Sequence, residues 1–143
     1  MANLLAGCDA LEREGVQVEA KSRVYETEPQ AGAVGQDDFL NACIEVETDL
    51  DAVALLAACK EVELELGRDP GAPRHAPRPL DVDLLLIDGG EHHSPGLDVP
   101  HAELLERRFV LEPLLELHPP DREMLERALA RVRNQRVTRF ETL

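Results

Sequence analysis

From Phe39 to Glu47 the chain alternates with a period of two, placing Leu40, Ala42, Ile44 and Val46 on one side and Phe39, Asn41, Cys43, Glu45 and Glu47 on the other. Successive side chains of a strand point to opposite faces, so this segment should press one face on a core and leave the other open for work. A similar alternation, Val16 to Ala20 continuing to Val24 and Tyr25, predicts a strand that ends at Thr27-Glu28-Pro29-Gln30 and a glycine-containing loop to Asp37. Leu80 to Ile87 predicts a further strand, buried along most of its length. Asp88-Gly89-Gly90 then suggests a hairpin into Gly96 to Val99.

Elsewhere the period is helical. Asn3 to Glu14 carries Leu4, Leu5, Cys8 and Leu11 at helical spacing, with Gly15 as the stop. Asp51 is placed to cap a helix running to Leu66 that buries Leu55, Leu56, Cys59, Val62 and Leu66, with Gly67 as its terminator. Pro100 fits the first turn of a helix beginning near His101, which would carry His101 and Arg107. Phe109 to Leu117 and Glu123 to Val132 are helical in pattern, divided by Pro119-Pro120. Helix, strand, strand, helix, strand and then helices is the order of an α+β sandwich with helices covering an antiparallel sheet. A ferredoxin-like unit has this order if one more strand stands in front, so the expected fold is ferredoxin-like with its first strand missing.

With 143 residues, one domain over 1–143 is expected, burying about 68–70% of its unfolded surface. Fifteen basic against 29 acidic residues leave a charge of −14, which argues against nucleic acid and anionic membranes as partners. Cys8, Cys43 and Cys59 are odd in number, form no C-x-x-C pair and sit in apolar patterns, as buried reduced thiols of a cytoplasmic protein do. Neither a signal peptide nor a membrane span is expected.

Against that acidic background, Arg68, Arg74, His75 and Arg78 face a single carboxylate, Asp69, in a stretch that Pro70, Gly71, Pro73 and Pro77 keep out of helix. Asp81 and Asp83 come next, and two positions apart on a strand they project from one face, about 6–7 Å apart. Magnesium is commonly held by one or two carboxylates together with substrate phosphate oxygens, and arginine grips phosphate bidentately, so the combination points to Mg-nucleotide chemistry. Taken singly, an Asp-x-Asp is more often solvated and loop arginines merely exposed; His101 alone reads as a capping residue. His92 and His93 are adjacent and cannot face one site from a strand. The sequence has no P-loop, no G-x-G-x-x-G and no nucleophile with its own base.

The run Arg74-His75-Ala76-Pro77-Arg78-Pro79-Leu80-Asp81-Val82-Asp83-Leu84-Leu85 resembles the signature of the 6-hydroxymethyl-7,8-dihydropterin pyrophosphokinase family. Val24 to Pro29, Asp38 to Ala42, Glu63 to Arg68, Val99-Pro100-His101 and Arg107 to Leu111 match in order around it. The resemblance implies transfer of pyrophosphate from ATP to the pterin hydroxymethyl group, with release of AMP and two magnesium ions. It implies that Asp81 and Asp83 hold the metals and act in catalysis with Arg68 and Arg78. Arg68, Arg74, Arg78, His101 and Arg107 would line the triphosphate, Glu63 and Leu84 would lie near the nucleoside, and Thr27, Glu28, Phe39, Asn41, His75 and Phe109 would make the pterin pocket.

His75 stands where the family usually has tryptophan, and Pro70 where a second loop arginine is common. The family opens on an apolar strand and a Gly-Ser-Asn-Leu-Gly loop, and Ala2 to Leu5 resembles the residues that come after that loop. An absent central strand should leave two neighbours unpaired. A monomer is expected, or an oligomer if a partner chain compensates. Two other classes compete with the enzyme: a truncated, non-catalytic Mg-nucleotide and pterin binder, and a metal-dependent phosphate-ester hydrolase, which the lack of a third ligand near Asp81 disfavours.

Overall fold

The structure, a computed structural model, describes residues 1–27, 39–67, 79–88, 90–135 and 137–143. Its elements are α1 (Ala2–Arg13), β1 (Gln17–Lys21), β2 (Arg23–Thr27), β3 (Phe39–Asn41), β4 (Ile44–Glu47), α2 (Ala52–Glu65), β5 (His92–Ser94), β6 (Leu97–Val99), α3 (Arg108–Leu115), α4 (Arg122–Arg131) and β7 (Thr138–Thr142). Helices and antiparallel strands give the α+β class expected. The chain gathers into two units, Met1–Val18 with Val46–Ala102 and Glu19–Glu45 with Glu103–Leu143.

In the first unit α1 packs on α2. Gly15 ends α1 in the left-handed region at φ 84°, and Gly67 comes after α2 at φ 101°, conformations that cost a glycine little. Asp51 caps α2 as expected, its carboxylate accepting the Ala54 N–H at 2.8 Å. The buried sides are Gly7, Cys8, Ala10 and Leu11 of α1 and Leu55, Ala58, Cys59, Val62 and Glu63 of α2. Gly7 lets α1 lie against Leu80, because a Cβ there would stand 2.6 Å from the leucine Cδ2. Leu97 and Val99 bury from the β5–β6 hairpin, whose two-residue turn Pro95-Gly96 places Gly96 at φ 78°.

The second unit holds a three-stranded antiparallel sheet ordered β3-β2-β7. Helix α3 packs on β2 and β3, and α4 packs on α3. Val24 and Tyr25 from the sheet, Leu111, Leu114 and Leu115 from α3, and Leu125, Ala128 and Leu129 from α4 form its core.

Several expectations need correcting. The strand read from Val16 to Tyr25 is two strands in different sheets, and the strand read from Phe39 to Glu47 also divides, into β3 and β4. Both breaks fall at one level. Ser22 is 2% exposed, its N–H donates to the Cys43 carbonyl at 2.9 Å, and its hydroxyl accepts the Cys43 N–H at 2.9 Å while donating to its neighbour Arg23. The break rotates Cys43 inward, so it is buried rather than on the open face.

Residues 80–86 form no strand, because a strand requires a neighbour and no ladder runs beside them among the described residues; only Ile87 bridges, to Gly90. The hairpin in this region pairs β5 with β6 instead. No α-helix begins near His101: a 3-10 turn occupies Leu104–Glu106, and α3 starts at Arg108. Strand β7 was missed, since its alternation is short and its partner β2 lies far away in sequence.

Removing the Ser22 hydroxyl should leave a buried Cys43 N–H unsatisfied and cost about 1–3 kcal/mol, while Asp51→Ala removes an exposed cap worth about 1 kcal/mol. Urea unfolding of both variants checks the ranking.

Candidate functional site

In the first unit the site is built on the extended stretch that begins after Pro79. Leu80 is buried, Val82 and Leu84 are half-buried, and Asp81 and Asp83 are exposed, so the expected period of two holds although no ladder enforces it. Other groups enforce it. The Asn3 side-chain amide donates to the Pro79 carbonyl at 3.0 Å, Leu80 seats against Gly7, the Glu63 carboxylate accepts the Val82 N–H at 2.8 Å, and the His101 N–H donates to the Leu85 carbonyl at 3.0 Å. Leu84 lies on the stretch that carries the two aspartates, and His101 is joined to it through Leu85.

Glu63, on the buried side of α2, is 1% exposed, with Lys60 Nζ 3.6 Å from its other oxygen. One turn earlier, the Cys59 thiol is pushed up to about 11, first by burial and then by the charges of Glu63 and Asp83, with Lys60 opposing.

The donor set suits a hard cation. Two exposed carboxylates, alternating along a fixed backbone, offer the partial oxygen shell that magnesium completes from phosphate and water. Among the described residues no cluster of three or more metal-binding side chains occurs, so a fully protein-made cage is not on offer there. His92 and His93 are engaged on their own hairpin, His92 with Ser94 at 2.9 Å and His93 with Asp98 at 3.0 Å.

In the second unit, β2 and β3 pair with Thr27 opposite Phe39 and Tyr25 opposite Asn41. Residues directly opposite in an antiparallel pair point to the same side, so Thr27, Phe39 and Asn41 share one face. Thr27 is buried, its hydroxyl accepts from the Asn41 side-chain amide at 3.2 Å, and Phe39 stands 41% exposed. This offers a polar reader fixed beside an open aromatic ring.

Phe109 lies in the first turn of α3, the helix packed on those strands. Arg107 precedes that helix, paired with Glu103, and its guanidinium lies over the Phe109 ring at 5.5 Å from the centroid. His101 and Arg107, expected on one helix, lie on no common element. Glu28, Arg68, Arg74, His75 and Arg78 fall outside the described residues.

Sequence reasoning missed two acceptors. Glu116, just after α3, accepts the Arg23 N–H at 2.9 Å and the Tyr25 hydroxyl. Glu63, expected near the nucleoside, also has a carboxylate oxygen that holds main chain between the aspartates. The only sequence signal for either was an acidic residue on an apolar helical face.

The family model described as 7,8-dihydro-6-hydroxymethylpterin-pyrophosphokinase matches residues 1–119. A 2-amino-4-hydroxy-6-hydroxymethyldihydropteridine pyrophosphokinase of Methylorubrum extorquens is 37% identical over 130 residues, 89% of this chain and 81% of that protein. The protein of the same name from Bacillus subtilis is 40% identical over 102 residues, 71% of this chain and 60% of its own length. The folic acid synthesis protein of Schizosaccharomyces pombe is 36% identical over 134 residues, 90% of this chain. The chain spans 18% of that yeast protein, and 21% and 20% of the bifunctional folate synthesis proteins of Arabidopsis thaliana and Pisum sativum that it also matches.

Burial, and then the Glu116 charge, push the Cys43 thiol up to about 12, as Cys59 is pushed to about 11, both from 9.0. Above pH 9 the unfolded thiols release protons that the folded ones keep, so the unfolded state binds fewer protons and stability falls as pH rises. Urea unfolding between pH 8 and 10 should show this decline. A Cys43→Ala, Cys59→Ala double variant should show it less steeply.

Proposed function

The chain belongs to the 7,8-dihydro-6-hydroxymethylpterin-pyrophosphokinase family, and from that premise we propose that it transfers pyrophosphate from ATP to 6-hydroxymethyl-7,8-dihydropterin. The pterin hydroxyl oxygen forms a bond to the β-phosphorus of ATP, the bond from that phosphorus to the oxygen leading to the α-phosphate breaks, AMP leaves and the hydroxyl proton passes to solvent. The reading rests on one observation above all: Asp81 and Asp83 are exposed on an extended backbone pinned at the amide between them. It is supported by the match over residues 1–119, which spans every residue assigned a role.

Asp81 and Asp83 hold magnesium, two ions in this reading, which when bound draw charge from the phosphate oxygens. Arg68, Arg74, Arg78, His101 and Arg107 bind the triphosphate, the arginines by paired N–H donors that match phosphate geometry. Arg68 and Arg78 add fixed positive charge where negative charge grows in the transition state. Glu63 and Leu84 belong to the ATP side.

Thr27, Glu28, Asn41 and His75 orient the pterin, and the exposed ring of Phe39 together with Phe109 offers it stacking surface. Arg107 answers to two partners. Its contact with Glu103 and the Phe109 ring holds the guanidinium ready, and a triphosphate competes with Glu103 for it. A cytoplasmic setting is supported by the burial of all three cysteines, Cys8, Cys43 and Cys59, in apolar surroundings. No helix among the described residues is long and apolar enough to cross a membrane.

The test is release of AMP from ATP and the pterin by the purified chain in the presence of magnesium. Asp83→Ala should leave the thermal melt unchanged, because the side chain is exposed, and lower turnover by about a hundredfold or more, the scale for removing a group that stabilises transition-state charge. A folded chain releasing no AMP, or a variant with undiminished turnover, rejects the reading.

A further inference from the structure

A carboxylate removed from water is costly unless it is paired or hydrogen-bonded. Glu63 is 1% exposed, and it meets that cost with the Val82 N–H at 2.8 Å and the Lys60 ammonium at 3.6 Å. Val82 stands between Asp81 and Asp83, and its N–H belongs to the planar peptide group that joins it to Asp81. Holding that N–H restrains the plane, and with it ψ of Asp81 and φ of Val82, the torsions next to one aspartate and one peptide short of the other. In a sheet a neighbouring strand would do this; beside residues 80–86 no ladder runs among the described residues.

Resting on the assignment of Asp81 and Asp83 as the magnesium pair, we propose that Glu63 is a positioning residue, whose buried carboxylate clamps the Val82 amide and so helps set the direction and spacing of both aspartates. Asn3 on Pro79 and His101 on Leu85 hold the stretch at its ends. Glu63 holds its centre.

The experiment compares Glu63→Leu, which keeps bulk and loses the acceptor, with Glu63→Gln, which keeps a carbonyl acceptor of the same reach, using Asp83→Ala as the metal-deficient reference. Two quantities are read on the full chain: exchange of the Val82 amide by NMR without metal, and affinity for Mn2+ with a non-hydrolysable ATP analogue by electron paramagnetic resonance. The folded Leu variant should exchange Val82 faster and lose about 10–100-fold in Mn2+ affinity, the range for removing a group that orients metal ligands. The Gln variant should retain both properties.

A folded Leu variant with unchanged Val82 exchange or unchanged Mn2+ affinity overturns the proposal, as does a Gln variant that loses as much as Leu. If the Leu variant does not fold, the Gln variant decides by retaining or losing the two properties. An unmutated chain that binds Mn2+ and the analogue but releases no AMP counts against the reaction proposed above, while the comparison of variants still decides the clamp. If it binds Mn2+ no better than Asp83→Ala, the metal pair and this role fall together.

Discussion

The hydrogen bond from the Val82 amide to Glu63 fixes the centre of a stretch that has to be extended yet has no ladder beside it among the described residues. Backbone donors and acceptors withdrawn from water must find partners, and here they find them one at a time. A side chain of α1 takes the Pro79 carbonyl, a side chain of α2 takes the Val82 N–H, and the main chain at His101 takes the Leu85 carbonyl. The close seat of Leu80 on Gly7 brings α1 near enough for the first of these. The packing of α1 on α2 and the alternation of exposed Asp81 and Asp83 are therefore parts of one arrangement.

The second unit solves a related problem with the same chemistry. The β2–β7 register shifts between Arg23 and Tyr25, and the Arg23 N–H is taken by Glu116, which also accepts the Tyr25 hydroxyl. At the break just before it, the Ser22 hydroxyl replaces a ladder partner for Cys43. An acidic chain has oxygen acceptors in abundance, and at three places where regular pairing stops, a side-chain oxygen completes the backbone. Hydrogen bonds between a carboxylate and a main-chain N–H are stronger than neutral ones, which suits them to points that position a site.

Much of the candidate site was legible in the sequence because its features are local. Gly15, Asp51 and Gly67 marked the helix ends through conformational preference and capping, and α1, α2, α3 and α4 stand where the helical periods put them. The side-by-side placement of Thr27, Phe39 and Asn41 was partly legible: alternation put Phe39 and Asn41 on one face, but only pairing brought Thr27 opposite Phe39. His101 and Arg107 were misread as members of one helix, since Pro100 fits a helix start as well as it fits the turn it occupies.

The sequence by itself determined the helices, the outward face of Asp81 and Asp83 and the class of chemistry they suit, because each comes from residue type and short spacing. The tertiary structure decided where strands break, how β7 joins β2, and which carboxylates serve as acceptors for the backbone. Those outcomes join residues far apart in the chain, 19 positions for Glu63 and Val82, 76 for Asn3 and Pro79 and 93 for Arg23 and Glu116. A buried glutamate on an apolar helical face shows only that it must have a partner. Which amide it meets is fixed by how the helices and the extended stretch pack.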